Sequence, residues 1–219
     1  MRRTMRACRS TAAGFSLLEV LVAMLIVMVG LLGLAGLQAR AQVAEFESYQ
    51  RAQALVLLYD MVERLNNNRI TARCFAITAD TALGAPYFGD PANPVAPACA
   101  VDTAANNAMA VAAMTAWDNL LRGAAETKGA GAAATNVGAM IGARGCVSYN
   151  AATEYVNATT NANINDTGEY TIAVAWQGMA DTFQPLKACG AGLYGSAAAN
   201  DVRRRTVWAT MRIATLRAQ

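Results

Sequence analysis

The side chains able to do chemistry are few. Histidine is absent from the 219 residues. That removes Ser-His-Asp and Cys-His nucleophile systems, HExxH zinc sites and imidazole acid–base work. There is no GxGxxG after a strand pattern and no GxxxxGK[ST]. The carboxylates are scattered, and Asp181 and Asp201 each stand alone in the chain. No catalytic pair, no cofactor and no metal are expected, and the chain reads as something other than an enzyme. One acid stands out. Glu19 lies in the apolar run from Phe15 to Leu37, and no other charge appears before Arg40. A carboxylate at mid-bilayer costs about 2.5–3.5 kcal/mol on insertion scales, and less towards the interface. Glu19 is four residues past Phe15, about 6 Å along a helix. It would therefore sit near the edge of the hydrocarbon. There it is either a snorkelling acid favoured by the helix dipole or one half of a charge pair.

The other reactive side chains are cysteines. Cys8 precedes the apolar run, and Cys74, Cys99, Cys146 and Cys189 follow it. The later four have no CxxC pairs and no histidine to help hold zinc. An even count in an oxidising compartment fits two disulfides, for which four cysteines allow three pairings. The pairing Cys74–Cys99 with Cys146–Cys189 keeps both loops local.

These residues must be positioned by a small set of elements. Phe15–Leu37 spans 23 residues, enough to cross a bilayer as a helix. Arg2, Arg3, Arg6 and Arg9 precede it, so the N-terminus is expected in the cytoplasm and the bulk of the chain on the far side. A secretory signal places small residues after its apolar core; here Ala12-Ala13-Gly14 come before it. The net charge of +3 belongs to this leader, because residues 15–219 carry 14 basic and 15 acidic side chains. Nucleic-acid affinity starts from clustered Lys and Arg, so such a partner is not expected. Arg203-Arg204-Arg205 is the remaining basic cluster and reads as a solvated turn or strand start.

The helical pattern continues beyond Leu37 to about Asn66, with no proline between residues 15 and 66. Val43, Phe46, Leu55, Leu58, Val62 and Leu65 form the expected apolar stripe; Glu45, Glu47, Arg51, Asp60 and Glu63 fill other faces. Gly30, Gly33 and Gly36 allow either close helix packing or local unwinding. The asparagines before Arg69 end the helix. Residues 78–99 hold four of the five prolines and form a loop. Met109–Leu121 is helical in pattern, with Trp117 as a core anchor, and residues 123–145 are a Gly/Ala-rich loop. Strands are expected at 146–150, 169–178 and 205–216, with Val147 and Tyr149 on one face of the first, Tyr170, Ile172, Val174 and Trp176 on one face of the second, and Val207, Ala209, Met211 and Ile213 alternating in the third. One antiparallel sheet covered by the long helix follows, an α+β architecture.

The stretch GFSLLEVLVAM, Gly14 to Met24, behind a basic leader, resembles the class III leader of type IV pilins and related pseudopilins. The resemblance implies cleavage between Gly14 and Phe15 by a prepilin peptidase and N-methylation of Phe15. It also implies pairing of Glu19 with the N-terminal amine of a neighbouring subunit during assembly. Such a pair offsets its desolvation only in good geometry, so it sets register more than it stabilises. Glu63, Arg64, Leu65, Asn68 and Arg69, the four head cysteines and the VAWQG strand resemble the PilV group of minor pilins. The Asn run and the Ala-rich inserts depart from that group. The resemblance implies a type IV pilin fold: a leader at 1–14, a long helix at 15–66 with 15–37 transmembrane, and an α+β head at 67–219. It implies a minor pilin that primes or supports pilus assembly from the inner membrane and ends at the cell surface, serving twitching motility and adhesion. Implied partners are other minor pilins, the major pilin, the inner-membrane assembly platform, the prepilin peptidase and a tip adhesin. The alternatives are a minor pseudopilin of a type II secretion system, a DNA-uptake pilin using Arg203–Arg205, and an uncut single-pass membrane protein.

Overall fold

The computed structural model describes residues 14–92, 94–131, 134–138, 140–195 and 201–213. The leader residues 1–13 and positions 214–216 of the expected last strand lie outside that set. The elements in chain order are α1 (Leu17–Asn67), a 3-10 helix (Arg69–Phe75), α2 (Ala104–Leu121), β1 (Thr127–Lys128), β2 (Thr135–Asn136), β3 (Arg144–Asn150), β4 (Glu169–Gln177) and β5 (Arg204–Arg212). This is a mixed α+β architecture with a long apolar N-terminal helix, consistent with the type IV pilin fold. The chain forms two compact units that divide between Glu45 and Phe46, inside α1.

Among the described residues of the first unit, α1 is the one element. It runs unbroken through Gly30, Gly33 and Gly36, and the space beside each glycine is open. An 18-residue window reaches a mean hydropathy of 2.8 with no residue buried, so the helix is long and apolar enough to cross a membrane.

The second unit is built on a three-stranded antiparallel sheet in the order β3-β4-β5. Cys146 pairs with Ala173 and Ala173 with Trp208, which fixes the register across all three strands. Alternation then sorts the side chains onto two faces. Val147, Tyr170, Ile172, Val174, Trp176 and Val207 point inward and are buried. Their layer is closed by the C-terminal part of α1 through Ala54, Leu58, Met61 and Leu65, and by Ala110, Met114, Trp117 and Leu121 of α2. The buried stripe of α1 is Gln50, Ala54, Leu58, Met61 and Leu65. The expected stripe shares only Leu58 and Leu65 with it. Val43, Phe46 and Leu55 are exposed instead. The reason is spacing: the core side follows steps of three and four through a small alanine and a polar glutamine, which a search for large apolar residues passes over.

α2 begins at Thr103, whose hydroxyl caps the helix by accepting from Asn106 N at 3.3 Å. It delivers Trp117 to the centre of the core. The indole N–H donates to Leu57 O of α1 at 2.9 Å, and the ring meets Phe88 edge-on at 5.4 Å between centroids. The ring presses so close to β3 that a Cβ at Gly145 would fall 2.1 Å from Trp117 Cη2. Only glycine fits there. Disulfides join Cys74 to Cys99, with Cα atoms 5.2 Å apart, and Cys146 to Cys189, 5.7 Å apart. They close loops of 25 and 43 residues. By loop-closure entropy each contributes about 3–4 kcal/mol.

Tyr149 donates to the Glu154 carboxylate and accepts from Gly168 N at 2.9 Å. Burial, reinforced by the bond to Glu154, pushes its hydroxyl up to about 12.

Two outcomes are expected. Leu58→Ala should lower unfolding free energy by about 2–5 kcal/mol. Val56→Ala, on the exposed side of the same helix, should change it by no more than about 0.5 kcal/mol. Urea unfolding of the full chain in micelles reads both. Because the folded state holds the Tyr149 proton more tightly than the ordinary value of 10.0, its contribution is complete below that pH and is lost as pH rises through the folded value. Urea midpoints between pH 10 and about 12 should fall less steeply in Tyr149→Phe.

Candidate assembly site

Ser16 precedes the first turn of α1, and its hydroxyl accepts from Glu19 N at 3.2 Å, while Ser16 O accepts from Val20 N at 3.3 Å. This is one half of a capping box, S-x-x-E, worth about 1 kcal/mol to the helix start. The motif was readable as Ser16-Leu17-Leu18-Glu19, and sequence reasoning passed over Ser16 in favour of the acid. Glu19 thus sits in the first turn, where the helix dipole favours a carboxylate. It has no ion-pair partner among the described residues.

Glu19 is four positions past Phe15, which stands just before α1, and both line one face of the helix start. That face continues through Ala23, Val27 and Leu31 and is lined almost entirely by apolar side chains. Phe15 is 84% exposed and Gly14 lies just before it in non-helical chain. A peptide bond between a glycine and an exposed aromatic, outside any helix, can be reached by an external protease. An acid in a bare apolar face can accept one external cation, and it sits in a groove that a second apolar helix can fill.

The second unit carries its own charge constellation. Glu47 was expected on a polar face. Its Oε1 instead accepts from Met179 N at 3.0 Å, Ala180 N at 3.1 Å and Arg205 Nη2 at 3.1 Å. One carboxylate oxygen thereby ties α1 to the turn after β4 and to β5. Arg205 adds bonds to Ala180 O and Thr182 Oγ1, both at 2.6 Å. Arg203 pairs with Asp181 at 2.8 Å, both exposed. Arg204 pairs with Asp201 at 3.2 Å and is 1% exposed.

The triplet was expected to be a solvated turn or strand start. β5 does begin there, but Arg204 is buried and all three cations are paired. Burial pulls the Arg204 guanidinium down from its ordinary range, and Asp201 opposes this. Both members of the buried pair are used twice. Arg204 donates to Lys187 O at 2.6 Å and Cys189 O at 3.2 Å, and Asp201 accepts from Gly192 N at 2.6 Å and Tyr194 N at 3.2 Å. The pair is a staple for the segment around Cys189. The basic cluster that supported a DNA-binding reading is therefore internally neutralised. Asp201 lies close to Arg204 in sequence, but Asp181, Glu47 and the two carbonyls that bury Arg204 do not, so the triplet itself gave little local signal for this.

Residues 9–35 match the family described as the prokaryotic N-terminal methylation motif. No curated protein and no solved structure gives a significant match to the chain. The match covers Gly14, Phe15 and Glu19 and ends before the head. It supports a type IV pilin-like or pseudopilin protein with a structural role, and with the apolar helix it fits a membrane-anchored chain.

Asp201→Ala leaves a buried guanidinium unpaired and should cost about 3–5 kcal/mol. Arg203→Ala breaks an exposed pair and should cost no more than about 1 kcal/mol. Urea midpoints of the two full-length variants check the contrast. Equal losses would mean that the buried pair is not the staple.

Proposed function

We propose that this chain is a minor pilin that primes or supports assembly of a type IV pilus. In this reading residues 1–14 are a leader, which a prepilin peptidase removes between Gly14 and Phe15, and Phe15 is then N-methylated. Residues 15–66 are the assembly helix, with 15–37 in the membrane before polymerisation, and residues 67–219 are the exposed head. The single observation that carries the reading is the methylation motif across residues 9–35, with Glu19 set in the first helical turn on an otherwise apolar face. The new N-terminal amine of an adjacent subunit supplies the cation that Glu19 needs. A charge pair inside an apolar bundle is worth little as net stability, but a mismatched neighbour leaves a carboxylate buried alone. Register is what such a pair specifies. The helix packs into the filament core, and the head contacts other minor pilins, the major pilin, the assembly platform or a tip adhesin.

Mass spectrometry of sheared filaments beside the membrane fraction tests the proposal. A peptide from Phe15 to Arg40 with a methylated amine in the filaments is the expected result. The same peptide confined to membranes would favour a pseudopilin of a type II secretion system. An intact Met1–Gly14 leader in every fraction would leave a plain membrane anchor and defeat the proposal. Glu19→Ala should leave leader removal intact and reduce incorporation into filaments at least about tenfold, the ratio corresponding to a loss of one unpaired-charge discrimination of about 1.4 kcal/mol. Normal incorporation of that variant would sink the role in register.

A further inference from the structure

The outward face of the sheet carries a groove that the assembly reading does not use. Its floor is set by register. Ser148 pairs with Thr171 and Thr171 with Thr210, so one row of three hydroxyls crosses the strands. The next row towards the disulfide is Cys146, Ala173 and Trp208, and the row on the other side is Asn150, Glu169 and Arg212. Two walls rise from this floor. One is the segment Leu186–Cys189, held by the Cys146 disulfide and by the buried Arg204 guanidinium on Lys187 O and Cys189 O. The other is Thr78–Gly84, held by Thr78 N on Val147 O at 2.9 Å and by Thr78 Oγ1 on Pro86 O at 2.9 Å. The walls meet where a Cβ on Gly84 would fall 2.2 Å from Ala188 O, at φ +62. A side chain there would force them apart. The space enclosed is about 510 Å³, within the range of small-ligand sites.

The lining chemistry narrows the occupant. The hydroxyls of Ser148 and Thr171 have no partner among the described residues. Glu169 and Lys187 face the same groove and neither is in an ion pair among the described residues. One acid and one base line the groove, and Arg212, beside Glu169 in register, is engaged with Thr153 O and Thr167 O. A polyanion such as single-stranded nucleic acid needs a positively charged track, and here it would meet Glu169. On the same face Trp208 is 46% exposed, beside Ala173 in register, with the Lys187 ammonium 4.6 Å from its ring centroid. Free hydroxyls, a carboxylate and an ammonium next to a half-exposed indole suit a ligand that offers hydroxyls at its edge and C–H groups on its face. We infer that this groove binds a neutral oligosaccharide. Its walls are fixed by a disulfide and a buried ion pair, so little ordering is left to occur on binding.

The test uses the full-length protein in a zwitterionic micelle free of sugar. An array of neutral oligosaccharides, with sialylated and sulfated glycans and single-stranded DNA beside them, identifies what is retained. The best neutral glycan is then titrated against tryptophan fluorescence. The expected result is retention of neutral glycans and a saturable fluorescence change that disappears in Trp208→Phe. Thr171→Val and Lys187→Gln should each weaken binding about tenfold or more, with urea midpoints near those of the parent. Tyr59→Ala, exposed on α1, should bind as the parent does. Failure to retain any neutral glycan would overturn the inference. So would retention confined to anionic probes, or undiminished binding by both Thr171→Val and Lys187→Gln.

Discussion

One helix has to satisfy two surroundings, and the rest of the molecule follows from how it does so. Over residues 17–37 α1 is apolar on every side except at Glu19, and no residue of its apolar window is buried. Such a surface is stable only against lipid or other apolar helices. Further along, the same helix buries one stripe, from Gln50 to Leu65, in the core over the three-stranded sheet. The division between compact units falls inside α1 for this reason: the backbone is continuous, but what the side chains need changes.

Charge is used sparingly, and each use is positional. In the N-terminal turn Glu19 has the helix dipole and a Ser16 cap but no cation of its own chain among the described residues. In the head the pattern is reversed: Glu47, Asp181 and Asp201 each take one arginine of the 203–205 triplet. The exposed pair contributes little. Both members of the buried pair also hold backbone groups, Arg204 two carbonyls and Asp201 two amides, which lowers the cost of burying two charges. The Glu47 pair joins helix to sheet at the edge of the head.

The strap around Cys189 shows the same economy. The disulfide to Cys146, the Arg204 donors and the Asp201 acceptors all converge on a segment that lies over the outward sheet face. Without those anchors the strap would be an ordinary surface loop. With them it becomes a fixed wall. The outward face then differs from the inner one in chemistry as well as exposure: hydroxyls, an acid, a base and an indole against aliphatic and aromatic packing.

Much of this was legible in the sequence where the physical signal is local. The apolar run, its basic flank, the leader motif and the placement of Glu19 are contiguous features. The alternation in EYTIAVAWQG placed Tyr170, Ile172, Val174 and Trp176 on one face, and in the structure that face is the buried one. Trp117 at helical spacing was read as a core anchor and is fully buried. What the tertiary structure alone decided is non-local. The buried stripe of α1 runs through Gln50 and Ala54 because the sheet and α2 crowd that side, and propensity carries no record of that crowding. Arg204 is buried because Asp201 and two carbonyls surround it, although three consecutive arginines read locally as a solvated turn. Gly145 is required because a tryptophan 28 residues earlier fills the space its side chain would take. Periodicity reports which residues share a face of one element. It cannot report which face another element will cover, because that depends on contacts formed only when distant parts of the chain close on one another.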